Sequence, residues 1–360
     1  RSRNPGATML YVDPYVKNTF RKSQPEGRKT FIRLDQNENP DGLPKWFFDK
    51  VMKEITPETL SMYPEEGVLV EKYADMIGVK PTNVTLTDGS LIGMGYLIHV
   101  FGKPGKNLVV VKPTFNMYGV FGGLNGMNTV EIPYEKDFTM PIEKIMDAID
   151  ENTGIVVLVN PNMPVGNTYE QGEIERVIQK AAKYDALVIV DEAYHYFYDG
   201  TSIPFIDKYE NVAVLRTFSK MLAITALRLG AVISNENIIH YVNNWRPHYT
   251  INAVTLKFGE MIVDEHEKLL AELSANFKEG KEYITKRLGA ENYDIIPSNG
   301  CFMCIRLRHK TGEYVTAELK KRNILILCGT GPLEGYIRLS VCGKKYMEIF
   351  ADALLDIDQE

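Results

Sequence analysis

Five short apolar runs, rich in β-branched residues, occupy the middle of the chain: "NLVVVKP", "GIVVLVNP", "ALVIVDE", "NVAVLRT" and "RLGAVIS". They read as buried strands. Between two of them, "YEQGEIERVIQKAAKYD" puts Ile174, Val177, Ile178, Ala181 and Ala182 on one helical face. Strand, amphipathic helix, strand predicts an α/β fold with a mostly parallel central sheet and helices packed on it. In such sheets ligands sit outside the carboxyl ends of the strands. The residues that follow each apolar run are therefore the ones to read for chemistry.

The last third has a different rhythm. A long helical stretch is predicted from about Asn252 through "VTLKFGEMIVDEHEKLLAELSANFKEGKEYITKRLG". Strands at "GCFMCIRL", "ILILCG" and "GYIRLSV" follow, with helices at "GEYVTAELKKRN" and "KKYMEIFADALLDI". That pattern predicts a smaller α+β unit. At 360 residues the chain is long enough for two domains. The division expected is a large domain over 46–250 and a small one from 9–45 together with 251–360. Residues 1–8, ahead of Met9, read as a remnant preceding the native start.

Composition narrows the classes. The formal net charge is -6 without long charged blocks, which argues against nucleic acid as the main partner, since phosphate backbones demand clustered Lys and Arg. No apolar stretch approaches the ~20 residues of a membrane span. Cys301, Cys304, Cys328 and Cys342 all fall late in the chain. Cys301 and Cys304 have C-x-x-C spacing, but "CFMCIRL" reads as a strand and no second close pair follows, so they are expected to be structural thiols in a reducing cytoplasm.

After "VIV" come Asp191, Glu192, Ala193 and Tyr194. An acidic pair at a strand end also serves magnesium in nucleotide hydrolases, but that requires G-x-x-x-x-G-K-[ST] upstream, which "GKPGKN" does not match. Asp191 is left as a turn cap or as a carboxylate stabilising a buried cation, such as a protonated pyridine nitrogen. After "NVTLT", Gly89 and Ser90 open a helix whose free N–H groups can hold a phosphate. "VVVKP" ends in Thr114 and Phe115, a ring that packs in the core or lies over a flat ligand. "GIVVLV" ends in the sharp turn "NPNMPVG". "VAVLR" runs into "TFSKMLAITALRLG", where Thr217, Ser219 and Arg228 surround Lys220. Alone, that stretch is a strand, a turn and a solvated helix start. Taken together, an imine-forming amine, an aspartate, a phosphate-type helix start, an aromatic plate and a second anion site point to a planar, phosphorylated, cationic ligand joined to lysine. Pyridoxal 5'-phosphate satisfies all five.

At these residues the sequence resembles fold-type-I pyridoxal-phosphate enzymes, the histidinol-phosphate aminotransferase group above all, with threonine-phosphate decarboxylase as a near relative. The resemblance runs from about residue 30 to the end. "LDQNENPDGLP", "MYPEEG", "KPTFNMY", "VIVDEAYHYF", "TFSK" with Arg228, and "YIRLSV" follow in family order. It implies an aspartate-aminotransferase-like large domain with helices on both faces of the sheet. It implies that Lys220 forms the imine with the cofactor, Asp191 pairs with the pyridine nitrogen, and Tyr194 bonds the ring oxygen. Gly89, Ser90, Thr217, Ser219 and Arg228 would hold the phosphate, and Phe115 would stack on the ring. Tyr63 would reach the phosphate of a partner subunit's cofactor, which implies a homodimer. Arg338 would bind the substrate carboxylate, with Asn39 nearby. The activity implied is transfer of an amino group between an amino acid or amino-phosphate compound and a keto acid.

Three positions depart from the family pattern. Met163 in "NPNMPVG" stands where an asparagine bonds the ring oxygen. Cys328 in "ILILCG" stands where an arginine follows the strand. "SNGCFMC" carries Cys301 and Phe302 in place of an Asn-Phe pair. "AITALRLG" resembles the decarboxylase form of its loop, so decarboxylation of an amino-acid phosphate is the alternative, and a binding protein that keeps the cofactor without turnover is a third.

Overall fold

Val109 and Val111 face one side of a central sheet, Leu108 and Val110 the other, and both sides are covered by packed side chains. Successive residues of a strand point to opposite faces, so a strand buried on both must be apolar throughout. This is the origin of the uninterrupted runs. The computed structural model describes residues 10–19 and 25–359; the remnant expected at 1–8 and the start expected at Met9 lie outside them.

After β1 (Ile32–Arg33), seven strands make the central sheet: β2 (Val84–Asp88), β3 (Asn107–Lys112), β4 (Asn128–Pro133), β5 (Thr153–Val159), β6 (Leu187–Asp191), β7 (Val212–Thr217) and β8 (Leu229–Ser234). Their spatial order is β2-β8-β7-β6-β5-β3-β4. β4, β3, β5, β6 and β7 are parallel to one another, whereas β8 runs antiparallel to both β2 and β7. One face is covered by Ile174, Val177, Ile178 and Ala181 of the helix Gln171–Ala182, the other by Met94, Leu97 and Ile98 of the helix Ser90–Phe101. Each of the larger side chains, fully buried, contributes roughly 1.5–3 kcal/mol. Ala182 departs from the expected face and is exposed. It is the last helical residue, about 100° round from Ala181, and looks outward.

The remaining strands are β9 (Ile295–Ile296), β10 (Phe302–Arg306), β11 (Ile324–Leu325), β12 (Leu327–Cys328) and β13 (Tyr336–Ser340). β12-β13-β10-β9 form a second sheet, and β1 pairs in parallel with β11. Leu34, Met303, Ile305, Ile337 and Leu339 share a second core with Ile284, Leu319, Phe350 and Leu354 from three helices. The single helical stretch expected from Asn252 is two helices, Ala253–Asp264 and His266–Gly289. Asn252 caps the first by accepting from Thr255 N–H at 2.9 Å. Glu265, at φ -105° and ψ 16°, ends it. The break lets Leu256, Phe258 and Ile262 pack in the large core while Ile284 and Leu288 pack in the small one.

Candidate active site

The antiparallel insertion of β8 assembles an anion cradle. Asp88 lies opposite Leu229 and Thr217 opposite Gly230, so the carboxyl ends of β2 and β7 meet the start of β8. Arg228 precedes β8 in a left-handed conformation, φ 55°. Its Nη1 donates to Thr225 O at 2.8 Å and to Ser219 Oγ at 3.3 Å, and Ser219 N–H donates to Thr217 Oγ1 at 3.1 Å. Gly89 completes the cradle at φ 78°; a Cβ there would stand 2.4 Å from Arg228 Nη2. A side chain at this position would fill the space beside the guanidinium. Ser90 opens the 12-residue helix next to it, where free N–H groups favour an anion.

From this cradle a cavity runs inward, and Ser90, Phe115, Met163, Asp191, Tyr194, Thr217, Ser219, Lys220 and Arg228 all line it. Asp191, the last residue of β6, is 4% exposed. Its Oδ2 accepts from Tyr118 O–H at 2.7 Å and its Oδ1 from Ala193 N–H at 3.0 Å. Burial nevertheless holds its pKa above the ordinary carboxylate value, because the charged form is desolvated. No described ion pair includes it. Glu192, the other half of the acidic pair, turns away and binds Arg216, whose Nε and Nη2 donate to Oε2 at 3.0 and 2.9 Å. One member of the pair is thus structural, and the other is a buried carboxylate facing a cavity, open to a cationic partner.

Lys220 faces Tyr194, its amine 5.9 Å from the ring centroid. Desolvation is the main cause that lowers its pKa from 10.5; Cys301 opposes this, while Arg338 and Arg228 add to it. A lysine so placed is neutral, and nucleophilic, at lower pH than a solvated one. Tyr194 is buried, its ring edge-on to Phe302 at 4.9 Å, and desolvation raises its pKa. Its hydroxyl accepts from Asn37 Nδ2 at 2.8 Å, a partner not picked out from the sequence.

On the far side of Lys220, a narrow cleft is lined by Asn37, Asn39, Cys301 and Cys342. Asn39 Nδ2 donates weakly to Met221 O at 3.4 Å. Arg338, 9% exposed, projects from β13. Its Nη2 donates to Asp35 O at 2.8 Å, and its Nη1 meets Met163 Sδ at 2.8 Å. Its buried Nε has no partner, and no described carboxylate pairs with it. A thioether is a weak acceptor, so this guanidinium retains donors to offer an anion.

The departures are placed differently from one another. Met163 lines the cavity and meets Arg338. Cys301 lines the cleft as a thiol whose pKa burial pushes up to about 11. Cys328 lies opposite Ile337 with its Sγ against Gly312, outside both cavity and cleft. Cys304 is buried with its Sγ 3.4 Å from Pro164 O, and all four cysteines are free. Tyr63 is 77% exposed and stacks on Tyr249 at 4.7 Å; its own chain does not bring it to the cavity.

The cavity fits a ligand with an anionic end, a flat cationic ring and a group that condenses with an amine. Residues 29–354 match the family described as aminotransferase class I and II. The chain belongs to that family. A relative from Thermococcus gammatolerans named histidinol-phosphate aminotransferase is 31% identical over 328 residues, covering 91% of this chain and 92% of its own. The histidinol-phosphate aminotransferase of Sinorhizobium meliloti, solved in complex with pyridoxal-5'-phosphate, superposes with a TM-score of 0.86 at 20% identity, over 97% of this chain and 98% of its own. A Thermus thermophilus aspartate aminotransferase double mutant gives 0.81 at 16% identity, over 97% and 100%. The fold is therefore that of the aspartate aminotransferases, and the chemistry of the aminotransferase is amino-group transfer. The decarboxylase reading raised by "AITALRLG" has less support from these relatives.

Proposed function

We propose that this aminotransferase uses pyridoxal 5'-phosphate, held at Lys220, to move an amino group between a carboxylate-bearing amino compound and a keto acid. The observation that carries the reading is one cavity joining a desolvated lysine, a buried carboxylate without an ion-pair partner and the Gly89–Arg228 cradle. When bound, the cofactor supplies an aldehyde and an electron-withdrawing protonated ring. Asp191 balances the charge of that ring. Gly89, Ser90, Thr217, Ser219 and Arg228 hold the phosphate, Phe115 lies along the ring, and Tyr194 donates to the ring oxygen. Lys220 Nζ, when free, would act as the general base that takes the proton from the substrate Cα and delivers it to the carbon that came from the cofactor's aldehyde. Arg338 binds the substrate carboxylate, with Asn39 beside it. Its orphaned Nε supports that role, since a buried donor without a partner is unfavourable until an acceptor arrives.

The same proposal includes a homodimer in which Tyr63 serves the partner's cofactor. Its exposure, alongside exposed Leu60, Met62 and Tyr249, supports a surface that a second copy covers. Four free thiols are in keeping with the cytoplasm. No described helix is long and apolar enough to cross a membrane. The division into a large domain at 46–250 and a small one at 9–45 with 251–360 belongs to the proposal too.

The test is Arg338→Ala. A charge-assisted hydrogen bond contributes ~1.5–3 kcal/mol, so productive binding of carboxylate substrates should weaken at least about tenfold. A decarboxylated amine should be much less affected. Equal losses for both would remove Arg338 from the role.

A further inference from the structure

Asn37 sits where three parts of the molecule meet. It is 4% exposed, at φ 57°, in the segment that follows β1. Asparagine is one of the few residues that tolerate this left-handed conformation. The segment is stitched to β13: Ser340 N–H donates to Leu34 O at 2.7 Å, Arg338 Nη2 to Asp35 O at 2.8 Å, and Asn37 N–H to Ser340 Oγ at 2.9 Å.

These bonds orient the amide. Ser340 Oγ accepts from the Asn37 backbone, which leaves its proton to donate to Asn37 Oδ1, 3.4 Å away. Oδ1 therefore faces Ser340 and the NH2 group faces Tyr194, at 2.8 Å from its hydroxyl. An amide NH2 only donates. The Tyr194 oxygen must accept there, and its own proton is sent elsewhere. The ring is fixed edge-on by Phe302, and Tyr194 lines the cofactor cavity. Met163, in the same wall, carries no proton to donate.

We propose that Asn37 is a positioning residue: it holds the Tyr194 hydroxyl as an acceptor on one side, so that its proton is committed to the oxygen of the cofactor ring on the other. The inference rests on the reading of the cavity as a pyridoxal-phosphate site. It assigns Asn37 no contact with cofactor or substrate; it acts through Tyr194. The charged and titratable groups around Tyr194 are Lys220, Asp191, Cys301 and Arg338, and all are kept in the variants below.

The experiment is a pH titration of the visible absorbance of the holoenzyme. Asn37→Gly tolerates φ 57° and removes the amide. Tyr194 is then free to turn its proton away, the ring oxygen is less stabilised, and the protonated yellow form persists to higher pH. An upward shift of about one pH unit is expected, bounded by the shift in Tyr194→Phe. In the Tyr194→Phe background, Asn37→Gly should shift the midpoint no further, because nothing remains for it to orient. A merely structural role would leave the midpoint unchanged or add the same shift in both backgrounds, and either result overturns the proposal. Asn37→Asp, which keeps shape and backbone, reads the same quantity where the glycine variant does not fold. Its carboxylate accepts the Tyr194 proton, so the midpoint rises, and the rise must shrink when Tyr194 is phenylalanine; an undiminished rise overturns the proposal. A wild-type protein with no visible absorbance on adding pyridoxal phosphate overturns the cavity reading and this inference together, whereas absorbance with an unmoved midpoint overturns this inference alone.

Discussion

Replacing Gly89 by alanine adds one methyl group at the point where two demands coincide. The backbone there has φ 78° and ψ 160°, a region that is essentially glycine-only and costs of order 1–3 kcal/mol for other residues. The new Cβ would also lie 2.4 Å from Arg228 Nη2 and 3.1 Å from its Cζ. Ordinary contacts begin near 3.5 Å, so the guanidinium must retreat by roughly 1 Å. It is anchored by Thr225 O at 2.8 Å and Ser219 Oγ at 3.3 Å, and the longer bond breaks first. Loss of one charge-assisted contact, at ~1.5–3 kcal/mol, corresponds to a rise of about 10- to 100-fold in the Kd for pyridoxal phosphate. The assay is equilibrium titration of cofactor-free protein by visible absorbance, with inorganic phosphate as competitor. Gly172→Ala is the control, since a Cβ there meets nothing within 4 Å. Because the effect acts through Arg228, Gly89→Ala should add little to the Kd of an Arg228→Ala variant. A folded Gly89→Ala protein that binds cofactor within threefold of wild type would refute the cradle as described.

Lys220→Ala should abolish the yellow absorbance that follows cofactor addition, and turnover with it; a variant that keeps both sinks the assignment. Lys220→Met tests the buried amine: its folded pKa lies below 10.5, so the unfolded chain binds more protons between the two values and cofactor-free wild type gains stability as pH rises through that window. Denaturant melts across that range should show this slope in wild type and not in the variant. Met163→Asn adds a donor on the cavity wall and should lower the pH midpoint of the cofactor spectrum by up to ~1–2 units; an unchanged or raised midpoint with cofactor bound contradicts it. Tyr63→Phe should loosen the cofactor, and mixing Lys220→Ala subunits with Tyr63-deficient ones should restore one intact site per hybrid; proven hybrids without activity would end the shared-site idea.

What the sequence made legible follows from range. Asp191, Thr217, Ser90 and Phe115 were readable because each lies at or within a few residues of the carboxyl end of an apolar run, and strand ends in parallel sheets face ligands. The strands themselves were readable because two-sided burial leaves no polar position. The antiparallel course of β8 was not, because an apolar run carries no sign of its direction, yet that course sets Arg228 beside Gly89. Asn37 was missed because its partners lie 157 and 303 positions away, and no local pattern encodes such contacts. The acidic pair at 191 and 192 looked like one unit, although neighbouring residues at a strand end face opposite ways.

The stitching of residues 34–37 to β13 also sets an order of events during synthesis. Asn37 leaves the ribosome early, but Ser340 follows 303 residues later. At ~5–20 residues per second, that is roughly 15–60 s. Once Ser234 has emerged the large sheet can close around its own strands, while the segment carrying Asn37 still lacks the strand that fixes it against Tyr194, and Arg338 is not yet made. The lysine and the phosphate cradle are thus ready before the groups that grip the substrate. A nascent chain stalled just after the central sheet should capture cofactor yet discriminate poorly among amines, and selectivity should be the last property the polypeptide acquires.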